Sequence, residues 1–122
     1  MTAEGNQVRP QDLLRVTAHH SGGAVVLAVA GEVDLLSAPV LGSEVTAALA
    51  VAPDLLVIDL SEVSFLASIG ITVLLEARRE AGSGTRVRVV APETGVVHRT
   101  LRLTGLVEAL AVAGTREDAL GG

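Results

Sequence analysis

The residues able to do chemistry in this chain gather where apolar runs end. Ser68 is the first of them. The run Leu55-Leu56-Val57-Ile58-Asp59-Leu60 has strand length and closes at an acid; Ser61 to Ala67 form a short loop carrying the only aromatic residue, Phe65; a helical pattern begins at Ser68. A serine at a helix N-cap accepts a hydrogen bond from a free backbone N–H. The free N–H groups and the helix dipole also favour negative charge at that place, so Ser68 could carry a phosphate without breaking the fold. Three uses of this hydroxyl fit the local pattern: a stabilising cap, a phosphoacceptor that acts as a switch, and a nucleophile. Ser68-Ile69-Gly70 matches the second half of a G-x-S-x-G elbow. However, Leu66 stands where the first glycine belongs, the stretch from Leu60 to Ser68 is too long for a sharp elbow, and no acid is placed to orient His98 as a base. A small serine hydrolase is therefore the remote reading.

Glu32 and Asp34 form the second candidate group. Residues two apart in an extended segment point to the same side, and both follow the end of the apolar run Ala24 to Ala30. In open α/β sheets such strand ends frame the crevice where ligands bind. The pair either solvates a loop near Ser37 or belongs to a recognition surface shared with Ser68. A phosphate placed beside Asp34 would concentrate negative charge and repel a partner that accepts the neutral serine.

Other polar residues offer less. Gly82-Ser83-Gly84-Thr85 follows a helix and precedes a strand, the reverse of a phosphate-binding loop, and reads as a turn. His19 and His20 are adjacent in a strand and face opposite sides, so they cannot chelate one metal. His98 is expected on a helix surface, and Arg99 and Arg102 on a solvated helix face. No metal site and no cofactor are predicted.

These residues must be positioned by alternating strands and helices. Residues 1–10 read as a loose tail ending at Pro10, and residues 11–120 as one domain. Strands are predicted over residues 13–19 and 24–30, joined by the turn Ser21-Gly22-Gly23. The continuous apolar character of the second implies burial on both faces. Ser37 caps a helix with Pro39 in its first turn, Val40, Leu41, Val45, Ala48 and Leu49 at helical spacing, and Pro53 as its stop. The strand at 55–60 leads through the loop to a helix over 68–81, its inward stripe read as Ile71, Leu74, Leu75 and Arg78. A strand at 86–90 and a helix to about Thr104 with Val97, Leu101 and Val96 inward come next. A short strand within 107–112 and a last helix follow, the latter begun by Thr115 and Asp118 at capping-box spacing. The order β-β-α-β-α-β-α-β-α implies a mixed, mostly parallel sheet with packed helices, an α/β fold.

Composition narrows the function classes. The chain has 122 residues, 49% of them hydrophobic, enough for one domain with an aliphatic core. No apolar run approaches the ~18 residues of a membrane span. The first residues lack the basic and apolar regions of a secretory signal. Cysteine is absent, which removes disulfides and thiol metal sites and makes a reducing cytoplasm the simplest location. A net charge of −5 argues against direct nucleic-acid binding.

With these residues in view, the chain resembles a stand-alone STAS domain of the anti-sigma-factor antagonist type. The resemblance covers residues 13 to about 120. It is carried by Gly31-Glu32-Val33-Asp34, Val57-Ile58-Asp59-Leu60-Ser61, Val63-Ser64-Phe65-Leu66-Ala67-Ser68-Ile69-Gly70 and Leu103-Thr104-Gly105-Leu106, in that order and spacing. It implies a non-catalytic binding module whose partner is an anti-sigma factor with serine-kinase activity. Binding frees the sigma factor. Phosphorylation of the serine at the second helix, by position Ser68, ends binding, and a serine phosphatase restores it. Asp34 matches an acidic residue beside that serine in family members. Ala67 and Ile69 stand where the family commonly has an aspartate and a small hydroxyl residue, which makes this surface more apolar. The implied docking surface comprises Asp34, Ser64, Phe65, Leu66, Ala67, Ser68, Ile69 and Gly70. A scaffold or transporter-associated STAS module without a phosphate cycle is the alternative. The oligomeric state is not fixed by the sequence.

Overall fold

A computed structural model describes residues 9–121 of the chain. The expectation of a loose tail falls mainly on residues 1–8, which lie outside the described residues. Pro10 does not continue a tail: it opens a single helical turn, α1 (Pro10–Leu13). The next elements are β1 (Leu14–Ser21), β2 (Ala24–Val33), α2 (Ala38–Ala50), β3 (Leu55–Leu66) and α3 (Ser68–Ala81). They are followed by β4 (Arg86–Val90), α4 (Val96–Leu103) and α5 (Arg116–Gly121).

The sheet order is β1-β2-β3-β4. β1 and β2 form an antiparallel hairpin closed by Gly22 and Gly23, with Ser21 opposite Ala24. β2 pairs with β3 and β3 with β4 in parallel, as the intervening helices α2 and α3 require. Alternation along each strand divides the core. Val25, Leu27, Val29, Leu56, Ile58 and Val89 join Leu41 and Val45 of α2, Leu74 and Ala77 of α3, and Val97 and Leu101 of α4. The intervening Ala24, Val26, Leu55, Val57 and Val90 join Ala113, which precedes α5, and Ala119 of α5. Burial on both faces is why β2 reads as an unbroken apolar run.

Four expectations need correction. Residues 61–66 are not a loop: β3 runs to Leu66, because β2 also continues to Val33 and offers it a pairing edge. The continuation passes register shifts near Gly31, whose φ is +118° and where a Cβ would meet the carbonyl oxygen of Leu13 at 2.1 Å, so only glycine fits. Residues 107–112 do not form a fifth strand. They turn, with Ala111 at φ +47°, and only Ala113 bridges to Val90. The buried stripe of α3 is Gly70, Leu74 and Ala77, with Ile71 half-buried against the core as expected; Leu75 and Arg78 face solvent. Small residues let a helix approach the sheet closely, a role that hydrophobic spacing alone does not reveal. Val96 is likewise outward, 51% exposed, while Val97 and Leu101 are buried as expected.

Candidate docking and modification site

β2 and β3 end side by side, with Glu32 opposite Phe65 and Val33 opposite Leu66. Immediately beyond, the Ala67 N–H donates to the Val33 carbonyl at 2.9 Å. Ala67 is still extended (φ −79°, ψ 167°) and is the N-cap of α3. Ser68 is therefore the first helical residue and not the cap, as the sequence had suggested. An alanine cap offers no side-chain acceptor. The Ala67 carbonyl accepts the Gly70 N–H at 2.9 Å and the Ile71 N–H at 3.2 Å. The N–H groups of Ser68 and Ile69 have no acceptor among the described residues, which is the usual state of a helix's first turn.

The Ser68 side chain is exposed, and its hydroxyl makes no hydrogen bond among the described residues. It is accessible from solvent. Two unpaired N–H groups and the positive end of α3 would receive the charge of a phosphate there. No acid follows in the first turn of α3 to oppose it.

Gly70 sets this geometry. A Cβ at that position would lie 2.6 Å from Leu66 Cδ1 and 2.7 Å from Val33 Cγ1. Glycine lets the first turn of α3 rest on the ends of β2 and β3, which holds Ser68 at the rim. Of the docking residues expected from sequence, Ser64, Phe65, Ser68 and Ile69 are exposed, and Asp34 and Ala67 are half-buried. Leu66 and Gly70 are buried beneath this surface and support it from inside.

Asp34 anchors the neighbouring turn. Its Oδ1 accepts the N–H groups of Leu36 and Ser37, each at 3.0 Å. Ser37 is fully buried; its Oγ accepts the Asp34 N–H at 2.9 Å and donates to the Glu32 carbonyl at 2.6 Å. Ser37 is the N-cap residue of α2, as read from sequence, but its side chain makes no capping bond to the helix. The acid and the serine brace each other across the turn instead. That turn lifts Leu35 and Leu36 into solvent, 76% and 55% exposed. Sequence reasoning missed both. Their signal was position: two leucines between a strand end and a helix start, outside either periodic stripe. Together with Phe65 (49%) and Ile69 (37%) they give an apolar rim to the Ser68 end of the sheet.

The remaining candidates are absorbed by the fold. Asp59 is buried and fully engaged: Oδ2 receives Arg116 Nε and Nη2, both at 2.9 Å, and Oδ1 receives the Ser61 N–H and hydroxyl. Glu32 is exposed on β2. His19 and His20 are exposed, opposite Val26 and Val25. His98 is half-buried on α4, with its Nδ1 buried and unpaired among the described residues. Arg99 and Arg102 are exposed. Among the described residues no three His, Asp or Glu side chains gather as metal ligands, and no helix is long and apolar enough to cross a membrane.

A single α/β domain with a bare serine and an apolar rim at one end of its parallel strands has the features of a binding module. The chain belongs to the STAS domain family, matching it over residues 15–119, in the anti-sigma-factor antagonist branch. It is 36% identical over 111 residues to the anti-sigma-F factor antagonist RsfB of Mycobacterium tuberculosis, covering 91% of this chain and 90% of that protein. The crystal structure of an anti-sigma factor antagonist from Mycobacterium paratuberculosis superposes with a TM-score of 0.84 at 34% identity, over 93% of this chain and 97% of the other. The anti-sigma factor antagonist SpoIIAA in its unphosphorylated form shares the fold, with a TM-score of 0.70 at 21% identity, over 87% and 93% of the two chains.

Proposed function

We propose that this protein is an anti-sigma-factor antagonist switched at Ser68. It docks through the rim formed by Leu35, Leu36, Phe65 and Ile69 onto an anti-sigma factor with serine-kinase activity, and the sigma factor is released. The observation that carries this reading is the bare, exposed hydroxyl of Ser68 at the first helical position of α3, with two unpaired N–H groups beside it. The similarity to RsfB supports the class of partner.

The domain, residues 11–120, supplies only the hydroxyl. The kinase supplies ATP, Mg²⁺ and the catalytic base. Transfer of the γ-phosphoryl group to Ser68 Oγ releases ADP and a proton. The product carries close to two negative charges at neutral pH, set among apolar side chains that a partner must cover. Desolvating that charge in an apolar contact is costly, so binding ends while the fold stands. Hydrolysis by a serine phosphatase restores the hydroxyl.

The test is incubation with the cognate kinase-type anti-sigma factor, ATP and Mg²⁺, followed by peptide mapping. One phosphate on Ser68, absent in Ser68→Ala, is expected. Stoichiometric modification of Ser68→Ala would refute the assignment.

A further inference from the structure

A second open surface lies at the other end of the parallel strands, roughly 30 Å from Ser68 at about 3.3 Å per strand residue. It follows the outer edge of β4. Backbone groups of successive strand residues alternate in direction, and the Arg86 N–H turns inward to the Asp54 carbonyl at 3.0 Å. The backbone groups of Val87 and Val89 therefore turn outward. Those of Val89 are paired: its N–H donates to the Leu110 carbonyl at 3.2 Å, and its carbonyl accepts the Ala113 N–H at 2.9 Å. Those of Val87 have no partner among the described residues, although Val87 is half-buried. The cause is the turn at 107–111, which leaves the edge where a fifth strand would have run.

The space left open is a groove of about 680 Å³. Arg78 of α3, which faces solvent, forms one wall; Arg86 and Arg88 line it from β4, with Glu108 the one acid among its lining residues. The Arg88 guanidinium is held in place by the carbonyls of Ala111 (3.2 Å), Asp118 (3.3 Å) and Ala119 (3.4 Å). Three of nine arginines thus meet at one groove on a chain of net charge −5.

We infer that this groove is a docking slot for an extended acidic segment of a partner protein, which pairs with the free backbone groups of Val87 as an added strand. Unmade backbone hydrogen bonds at a partly buried edge favour such pairing. Alternate side chains of the added strand point to opposite faces. Acids at successive positions would therefore face Arg78 on one side and the Arg88 side of β4 on the other. Among the described residues a second copy offers no acidic edge strand: its other edge, β1, carries Arg15, His19 and His20 and no acid.

The slot is tested on the full chain, ¹⁵N-labelled, with the peptide acetyl-VDEDV-amide as probe, whose successive acids present to both faces. Saturable movement of the Val87 amide signal and its slower hydrogen exchange are expected. Affinity should fall at least five-fold in Arg78→Glu, whose side chain makes no hydrogen bond or ion pair among the described residues, and at least ten-fold when the central peptide nitrogen is methylated. Equal binding by the methylated peptide or by acetate alone would reduce the groove to a plain anion patch and overturn strand pairing. Signals that move only around Ser68 and Ile69, or peptide-independent dimers pairing at β4, would overturn it as well. None of these outcomes depends on phosphorylation of Ser68.

Discussion

The Ala67 N–H and the Val33 carbonyl meet at 2.9 Å, one bond beyond the last paired residues of β2 and β3. This contact brings together two segments distant in sequence. Asp34 follows Val33 and Ser68 follows Ala67, so the acid that braces the Leu35-Leu36 turn and the serine that opens α3 leave the sheet side by side.

Asp34 holds its turn through two backbone N–H groups. Asp34→Ala should cost about 1 kcal/mol, in the range of a lost helix cap. Asp34→Asn should recover most of it, since an amide oxygen accepts the same bonds. Urea unfolding midpoints of the three proteins measure this directly.

Gly70 is required by contact rather than by backbone angle. Gly70→Val would drive side-chain atoms into Leu66 and Val33, and overpacking of this kind costs roughly 2 kcal/mol. The variant should unfold at lower denaturant. Its Ser68 amide signal should also move, because the first turn of α3 must lift from the strand ends.

The apolar rim should matter for binding and little for folding. Leu35→Ala and Phe65→Ala should leave stability within about 0.5 kcal/mol, as exposed positions do. Each should weaken binding to the anti-sigma factor by about ten-fold, in keeping with loss of an interface anchor. Calorimetric titration beside thermal unfolding separates the two effects.

Asp59 links the sheet to α5. The carboxylate is buried and the Arg116 side chain is 42% exposed, so the pair sits between a buried and a surface bridge. Asp59→Ala should cost roughly 2 kcal/mol, below the figure for a fully buried pair. Arg116→Ala should cost less, because Ser61 still satisfies one carboxylate oxygen. Hydrogen exchange in α5 should accelerate in both.

Most of the architecture was legible because apolar period and length carry it. The unbroken run of β2, the parallel crossovers and the helix stops at Pro53 and Gly82 all read directly. What escaped was set by neighbours. Residues 61–66 carry turn-like serines, yet β2 offers them an edge and they pair. Residues 107–112 are apolar enough for a strand, yet Ala111 turns the chain away. Gly70 and Ala77 have no bulk to mark a buried stripe. At the site, position identified Ser68, and a side-chain type suited to capping assigned it the wrong place in the helix by one residue. Leu35 and Leu36 look like core residues by composition. Only the brace between Asp34 and Ser37 shows why they point outward.

The account rests on a charge that the fold tolerates and the partner rejects. Its most direct test measures both in one preparation: the unfolding midpoint of the Ser68-phosphorylated protein against the unmodified one, and the affinity of each for the anti-sigma factor. The midpoint should be unchanged or slightly raised by the helix-terminus interaction, about 0.3–1 kcal/mol, while affinity falls at least a hundred-fold. A phosphoprotein that unfolds more easily yet binds as tightly as before would contradict it.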